Sequence, residues 1–482
     1  MMNTLTVLGD EGVRRIDGAA RNILDRTGVE IPHKEVQILF RRGGAKVDSA
    51  AARVRIPSGL IDDCLRSAKK SFTLHGRDRS LQAPFGAGRR NYNSTAGQAL
   101  WVEASGTRRY CCLDDVRRAA RLGDALPFIT IVGAMADPHE IDAAYRCVEV
   151  AAALFRETTK PVMFWFNDRA GAACLVDLIQ TVADGEAAAY PPAYPFLEPI
   201  SPLRFPRTGL DILFETRKVP LPVPIGPMAQ IGMSAPATVA ATLAQETAEI
   251  LAGVCAVQLI GPGTPVCFGG IPHAFDMSTA QIVFGGPEQG LMAVAMTEMG
   301  KSYGLPVYIN VGLTDSKTVD AQAGLEIGAS LLAGALAGAD IFGHLGITGA
   351  DQGASPEMLV FQHEAVGYLE RILRGIEIDD ETLALDLIDR VGPRGSFIAE
   401  EHTMLHFRRE LWMPKILDRH FYERWSEQGR RDALSRTREL LAEVEASHVP
   451  KPLPDDVEME VAKIVERARV RLGGTRRTNE SR

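Results

Sequence analysis

The sequence predicts an α/β fold, a (β/α)8 TIM-type barrel with mainly helical extensions at both ends. Two observations predict it. From Phe128 onward, short apolar runs rich in β-branched and aromatic residues alternate with longer stretches of helical periodicity, with Gly, Pro or Asp breaks between them. The runs recur at spacings of roughly 30 to 40 residues, room for one crossover helix each, as parallel strands require.

In order, the strand segments are FITIVGAM (128–135), PVMFWFN (161–167), YPFLEPI (194–200), PVPIGPM (222–228), PVCFGGI (265–271), PVYINVG (306–312) and ADIFGHLG (339–346), with FIAEEH (397–402) as a possible eighth. Seven or eight such units suggest closure. A doubly wound open sheet competes, because periodicity alone does not bring the first and last strands together.

Among the connectors, the helix after the fourth strand can be capped by Ser234, with Pro236 in its first turn and Val239, Leu243, Ile250, Val254 and Val257 on one face. Gly261-Pro262 ends it. Helices follow at Glu288–Tyr303 and Asp320–Ala337, rich in the Ala and Gly that allow close packing on strands.

Residues 1–88 read as an N-terminal helical subdomain with one amphipathic helix (Gly12–Thr27) and the alternating KVDSAAARVRIP; residues 89–410 form the barrel. Residues 411–482 are a C-terminal helical extension, RWSEQGRRDALSRTRELLAEVEA being its clearest helix and GGTRRTNESR a disordered tail.

Hydrophobic residues make up 46% and charged residues 24%, an ordinary globular composition. A net charge of −8 argues against a nucleic-acid surface, which needs concentrated Lys and Arg. No apolar run reaches the roughly 20 uninterrupted residues of a spanning helix and the N-terminus lacks a leader pattern, so no membrane and a cytoplasmic location are expected. Seven cysteines without a CxxC pair read as core fillers in a reducing compartment.

Barrel active sites lie at the C-terminal ends of the strands. Those positions hold Trp165, Phe166, Asn167 and Asp168; Glu198; His273 and Asp276; Tyr308, Asn310 and Asp315; and His344. Glu198, inside an apolar run, must either find a partner such as Arg204 or face a solvated cavity. Asp320 suits a helix cap, whereas Asp315 and Gln322 are placed to meet a ligand at the mouth. We assign Glu198, Asp315 and Gln322 as catalytic, and Trp165, Phe166, Asn167, Tyr308, Asn310 and His344 as substrate-binding. His402 and His406 share a helical face, but the HExxH pattern and a clear third ligand are missing, so no metal is expected. Phosphate-cradling GxGxxG and GxxxxGK[ST] loops and a GxSxG elbow are also missing.

VGAMADPHE, RETTKPVMFW, GPMAQIGMSAPATVAATLAQETAEILAG, DMSTAQIVFGGPE, TDSKTVDAQAGLE, LAGALAGADIFGH and HTMLHFRRELWMP stand in order between Asn91 and Trp425. Together they resemble the trimethylamine methyltransferase family. The resemblance implies a barrel enzyme passing a methyl group from a methylated amine to the Co(I) corrinoid (cobalamin) of a cognate corrinoid protein, with no corrinoid of its own. The chain has no pyrrolysine, which places it beside relatives similar to glycine betaine:corrinoid methyltransferases. It implies a betaine-like quaternary amine as substrate, a tertiary amine such as trimethylamine being the alternative. The residues replacing the pyrrolysine region are sought in Ile341–Gly353, where GHLGITGADQGASPE departs from the family's pattern. A homo-oligomer is expected. Two other classes compete: a metal-dependent barrel lyase or hydrolase using His273, His344 and His402, and a non-catalytic betaine-binding protein.

Overall fold

The computed structural model describes residues 5–473, so most of the expected disordered tail, 474–482, lies outside the described residues. Its centre is a curled parallel sheet. Seven short strands belong to it: β1 (Asn91–Ser94), β2 (Val132–Gly133), β3 (Val162–Met163), β4 (Val223–Ile225), β5 (Val266–Gly270), β6 (Val307–Ile309) and β7 (Ile341–Leu345).

One five-stranded sheet runs β4-β5-β6-β7-β1, and β2 and β3 form a parallel pair. Single parallel bridges continue the order: Asn93 to Ile131, Val162 to Ala193, and Leu197 to Ile225. The segment 193–197 thus lies between β3 and β4 without forming a ladder. Its PPAYPFLEP composition explains this, since each proline removes a backbone donor.

The segment 397–402 is not an eighth strand. It is an exposed turn entering the helix Glu401–Glu410, and the place beside β7 belongs to β1. The polar run Asn-Tyr-Asn-Ser is atypical of strands, but every residue of it is buried and its polar groups are satisfied locally. Asn91 Nδ2 donates to the carbonyls of Pro84 and Asp340, and Ser94 Oγ accepts from Gly133 N.

The helix Val239–Ile260 begins at Thr238 rather than Ser234, whose hydroxyl instead accepts from Gln230 N in the preceding turn. It ends at Gly261 as expected. Long and apolar enough to cross a membrane, it is 94% buried over its most apolar window, within the protein core. Asp320 caps the helix Ala321–Ala337 by accepting from Ala323 N at 2.9 Å.

N-terminal to β1, the helix Gly9–Asn22 lays Ile16 and Ala20 into the same core as Leu243, Ile250 and Val254. The carboxylate of Glu298 accepts from the backbone N–H groups of Val7, Leu8 and Gly9 and caps that helix from outside. A three-stranded antiparallel sheet and a hairpin (Phe72–His75 with Gln82–Phe85) complete this region, which is less helical than expected. C-terminal helices Ala433–Ser447 and Asp455–Gly473 contribute Leu440, Leu441, Ile464 and Val465 to the main core.

Candidate functional site

Side chains alternate along a strand, so 163 and 165, 194, 196 and 198, and 308 and 310 each share a face. That face is the inside of the curled sheet: Met163, Tyr194, Cys267 and Tyr308 form one buried layer, with Trp165 and Phe196 packed against it. At the C-terminal ends of the strands, four rings meet edge-on. Trp165 lies 6.4 Å from Phe196 and 6.2 Å from His344, and Tyr308 lies 5.2 Å from Phe196 and 6.0 Å from His344.

Phe166 points the other way. It stacks on Phe164 with centroids 5.2 Å apart and packs against the outer core, so it meets the cavity only at its edge.

Beside these rings opens a cavity of about 520 Å3, lined among others by Trp165, Asn167, Phe196, Glu198, Met228 and Gln230. That volume suits a small organic ligand. Asn167, at the exposed rim, donates to Ala143 O at 3.4 Å.

Among the described residues Glu198 makes no ion pair; Arg204 instead forms a backbone bridge with Ile200. Burial, and next the charge of Asp351, push the Glu198 carboxyl up to about 7. Asp351 is itself raised to about 6 by burial, against the opposing hydrogen bond from Gln98 Nε2 at 2.7 Å. The charge of Asp351 thus reaches Glu198, although Asp351 itself does not line the cavity.

Several neutral polar groups here have no protein partner. Both polar atoms of the Asn310 side chain and His344 Nε2 are buried and unpaired among the described residues. Burial lowers His344 to about 4 and His273 to about 3, so both imidazoles are neutral at neutral pH. A buried polar group without a partner costs roughly 1–3 kcal/mol, and a bound ligand can offset that cost.

Asp315 and Gln322 lie apart from this group. Both Asp315 carboxylate oxygens accept backbone N–H groups, from Phe284 at 2.9 Å and Gly285 at 3.0 Å. Gln322 is exposed and donates to Glu326, whose other oxygen holds Thr314 Oγ1 and Asp315 N. Together they brace the loops beyond β5 and β6. Asp168 caps the helix Arg169–Val182, and His402 and His406 stack at 4.2 Å on the exposed helix Glu401–Glu410. Among the described residues no three His, Cys, Asp or Glu side chains gather to hold a metal ion.

Sequence reasoning missed Phe196, Asp351 and Gln98. Phe196 was legible from the alternation 194, 196, 198. Asp351 was not, because its position follows from three consecutive residues, Gly349, Ala350 and Asp351, at positive φ.

A cavity walled by aromatic rings and the half-buried Glu198, at the carboxyl ends of parallel strands, stands where α/β folds place small-molecule sites. The family profile described as trimethylamine methyltransferase (MTTB) matches residues 1–473. The chain belongs to that family. It is 28% identical over 463 residues to a glycine betaine methyltransferase of Desulfitobacterium hafniense (strain Y51), covering 95% of this chain and 96% of that protein. It is 28% identical over 476 residues to trimethylamine methyltransferase MttB of Desulfitobacterium hafniense (strain DSM 10664 / DCB-2), covering 98% and 96%. Among solved structures, the Methanosarcina barkeri monomethylamine methyltransferase (MtmB) aligns over 92% of this chain and 96% of its own, at 11% identity and a TM-score of 0.45.

Proposed function

We propose that the protein transfers a methyl group from a quaternary, betaine-like methylated amine to the Co(I) corrinoid of a partner protein. The observation that carries this reading is the conjunction of Trp165, Phe196 and Glu198 on one cavity wall at the strand ends. Aromatic faces attract a methylated ammonium by about 0.5–2 kcal/mol each, with no strong ion pair to release. Glu198, its carboxyl raised to about 7, is only partly ionised at neutral pH and adds a partial counter-charge to that grip.

The partner's corrinoid supplies the nucleophile. The C–N bond of the amine breaks with its electron pair staying on nitrogen, and the product amine leaves uncharged. No proton need be delivered, which suits a site whose imidazoles are neutral. Positive charge on nitrogen falls as the methyl group departs, so a weak aromatic grip spares the transition state better than a tight ion pair would. Asn310 and His344 offer unpaired hydrogen-bonding atoms to the polar tail of the substrate. Asp315 and Gln322, in this reading, act by holding the mouth loops.

The same reading takes the eight parallel positions, β1 to β7 and 193–197, as one closed (β/α)8 barrel spanning 89–410 between terminal extensions. Parallel pairing between every neighbouring pair supports it.

The test presents glycine betaine, carnitine, proline betaine and trimethylamine in turn with Co(I) cobalamin, following methylcobalamin by absorbance. Activity on a quaternary amine is expected. Activity on trimethylamine alone overturns the quaternary assignment, and none on any amine, with the cognate corrinoid protein also supplied, overturns the reaction.

A further inference from the structure

The chain between the helices Pro356–Leu373 and Ala433–Ser447 is built unlike the rest. From Arg374 to Arg436 only Ile416 is buried. Its four helices, Asp380–Leu383, Leu385–Val391, Glu401–Glu410 and Tyr422–Glu427, contain no buried residue. Yet it is rich in large apolar side chains. Of the twenty-eight exposed among the described residues, fourteen fall between Ile376 and Tyr422, including Ile376 at 83%, Ile398 at 85% and Phe421 at 88% exposed.

One anchor ties this arm to the core, where Trp412 packs on Tyr368, Ile416 is buried and Glu364 accepts the amides of Lys415 and Ile416; elsewhere polar contacts hold it in place. Arg371 donates to the Glu410 carbonyl at 2.6 Å, Arg374 to that of Arg409, and Arg390 pairs with Glu400 at 2.5 Å. Such surface pairs contribute little. Ordering some sixty residues costs about 1–2 kcal/mol each, which a segment without its own core does not recover from internal contacts.

We propose that the arm is a subunit interface, covered in solution by the arm of a second copy of this chain. Area is the first argument. Fourteen side chains of roughly 150–200 Å2, most more than half exposed, present on the order of 1,300–1,800 Å2 of largely apolar surface. A monomer's largest patch is usually about 300–600 Å2, and a stable interface takes about 800 Å2 from each partner.

Charge is the second. Residues 377–389 carry six carboxylates and no basic side chain, whereas 408–431 is net basic. Within one arm Glu377 pairs with Arg409 and Glu381 with His406; a two-fold axis sets the remaining carboxylates of one arm against the basic part of the other, the self-complementarity an isologous contact needs.

Position is the third. The helix Pro356–Leu373 starts beside the strand-end loops and runs 18 residues, about 27 Å, to the opposite end of the sheet, where Glu370 pairs with Arg90 just before β1. The arm leaves from there, so a protein docked over the cavity mouth does not cover it.

The test is light scattering after size exclusion on the full chain, at about 10 µM. Wild-type protein should run as a dimer or a larger even assembly. Ile376→Glu/Ile378→Glu and, separately, Ile398→Glu/Phe421→Glu should each weaken self-association at least tenfold while keeping the wild-type circular dichroism. Independently of any substitution, diluting wild type through dissociation should raise amide exchange in 376–422. A monomeric wild type overturns the proposal, even if a corrinoid protein binds it; so do variants of unchanged mass, or arm exchange insensitive to dilution.

Discussion

The indole of Trp165 meets the imidazole of His344 edge-on, 6.2 Å apart at 85°, while its Nε1 donates to the Gly97 carbonyl at 3.3 Å. The ring is therefore fixed on two sides and offers its remaining surface to the cavity. Trp165→Ala should raise KM for the amine about tenfold, as expected for loss of about 1.4 kcal/mol of cation–π attraction, with a smaller change in kcat. Trp165→Phe should recover part of it. An unchanged KM in Trp165→Ala assigns the ring to packing alone.

Glu198 has a folded pKa of about 7 against an ordinary 4.5. A raised carboxyl contributes stability that is fully present below pH 4.5 and is lost as pH climbs through 7. Glu198→Gln removes that loss. The variant should gain on wild type between pH 5 and pH 8, by about 1–3 kcal/mol in denaturant unfolding of the ligand-free protein. Its turnover should fall at least about tenfold, with a flatter pH profile through neutrality. Equal stability differences at the two pH values refute the assignment of the shift to Glu198.

Asp315 holds the amides of Phe284 and Gly285 with separate oxygens. Asp315→Ala leaves both without an acceptor and should cost about 1–3 kcal/mol, lowering Tm by a few degrees. Calorimetry decides. Lost activity at an unchanged Tm would place Asp315 in direct contact with the reacting groups.

Gly343 is one of the positions where a methyl group cannot be accepted, since a Cβ there would stand 1.9 Å from Tyr308 Oη and 2.3 Å from its Cζ. Gly343→Ala should destabilise by about 1–3 kcal/mol through overpacking. Because the clash is with one ring, Gly343→Ala/Tyr308→Ala should lose less than the sum of the two single losses. Simple additivity in a double-mutant cycle refutes the contact.

Much of this site could be read from strand ends alone. Trp165, Glu198, Tyr308, Asn310 and His344 all sit where a parallel sheet delivers its inward residues, and their identity is unusual for an apolar run. Phe166 and Asp315 show the limit. A run of Trp-Phe-Asn gives no parity without knowing which residue faces in, and an aspartate near a mouth looks the same whether it binds substrate or two amides. The strand Asn91–Ser94 escaped because hydrophobic periodicity detects strands by what they bury, and this one buries satisfied polar groups. In the opposite sense, the apolar residues of 397–402 suggested a strand whose side chains remain exposed.

The pairing of β1 with β7 joins Asn91 to Ile341. A ribosome adding about 5–20 residues per second needs on the order of 12–50 s to make the chain between them. Throughout that interval the edge of β1 has no β7 to pair with, and unpaired edges recruit other chains. The polar character of Asn91, Asn93 and Ser94 then has a second value: a nascent edge of asparagine and serine is less adhesive than one of valine and isoleucine, so the strand that waits longest for its neighbour is also the one least prone to aggregate while it waits.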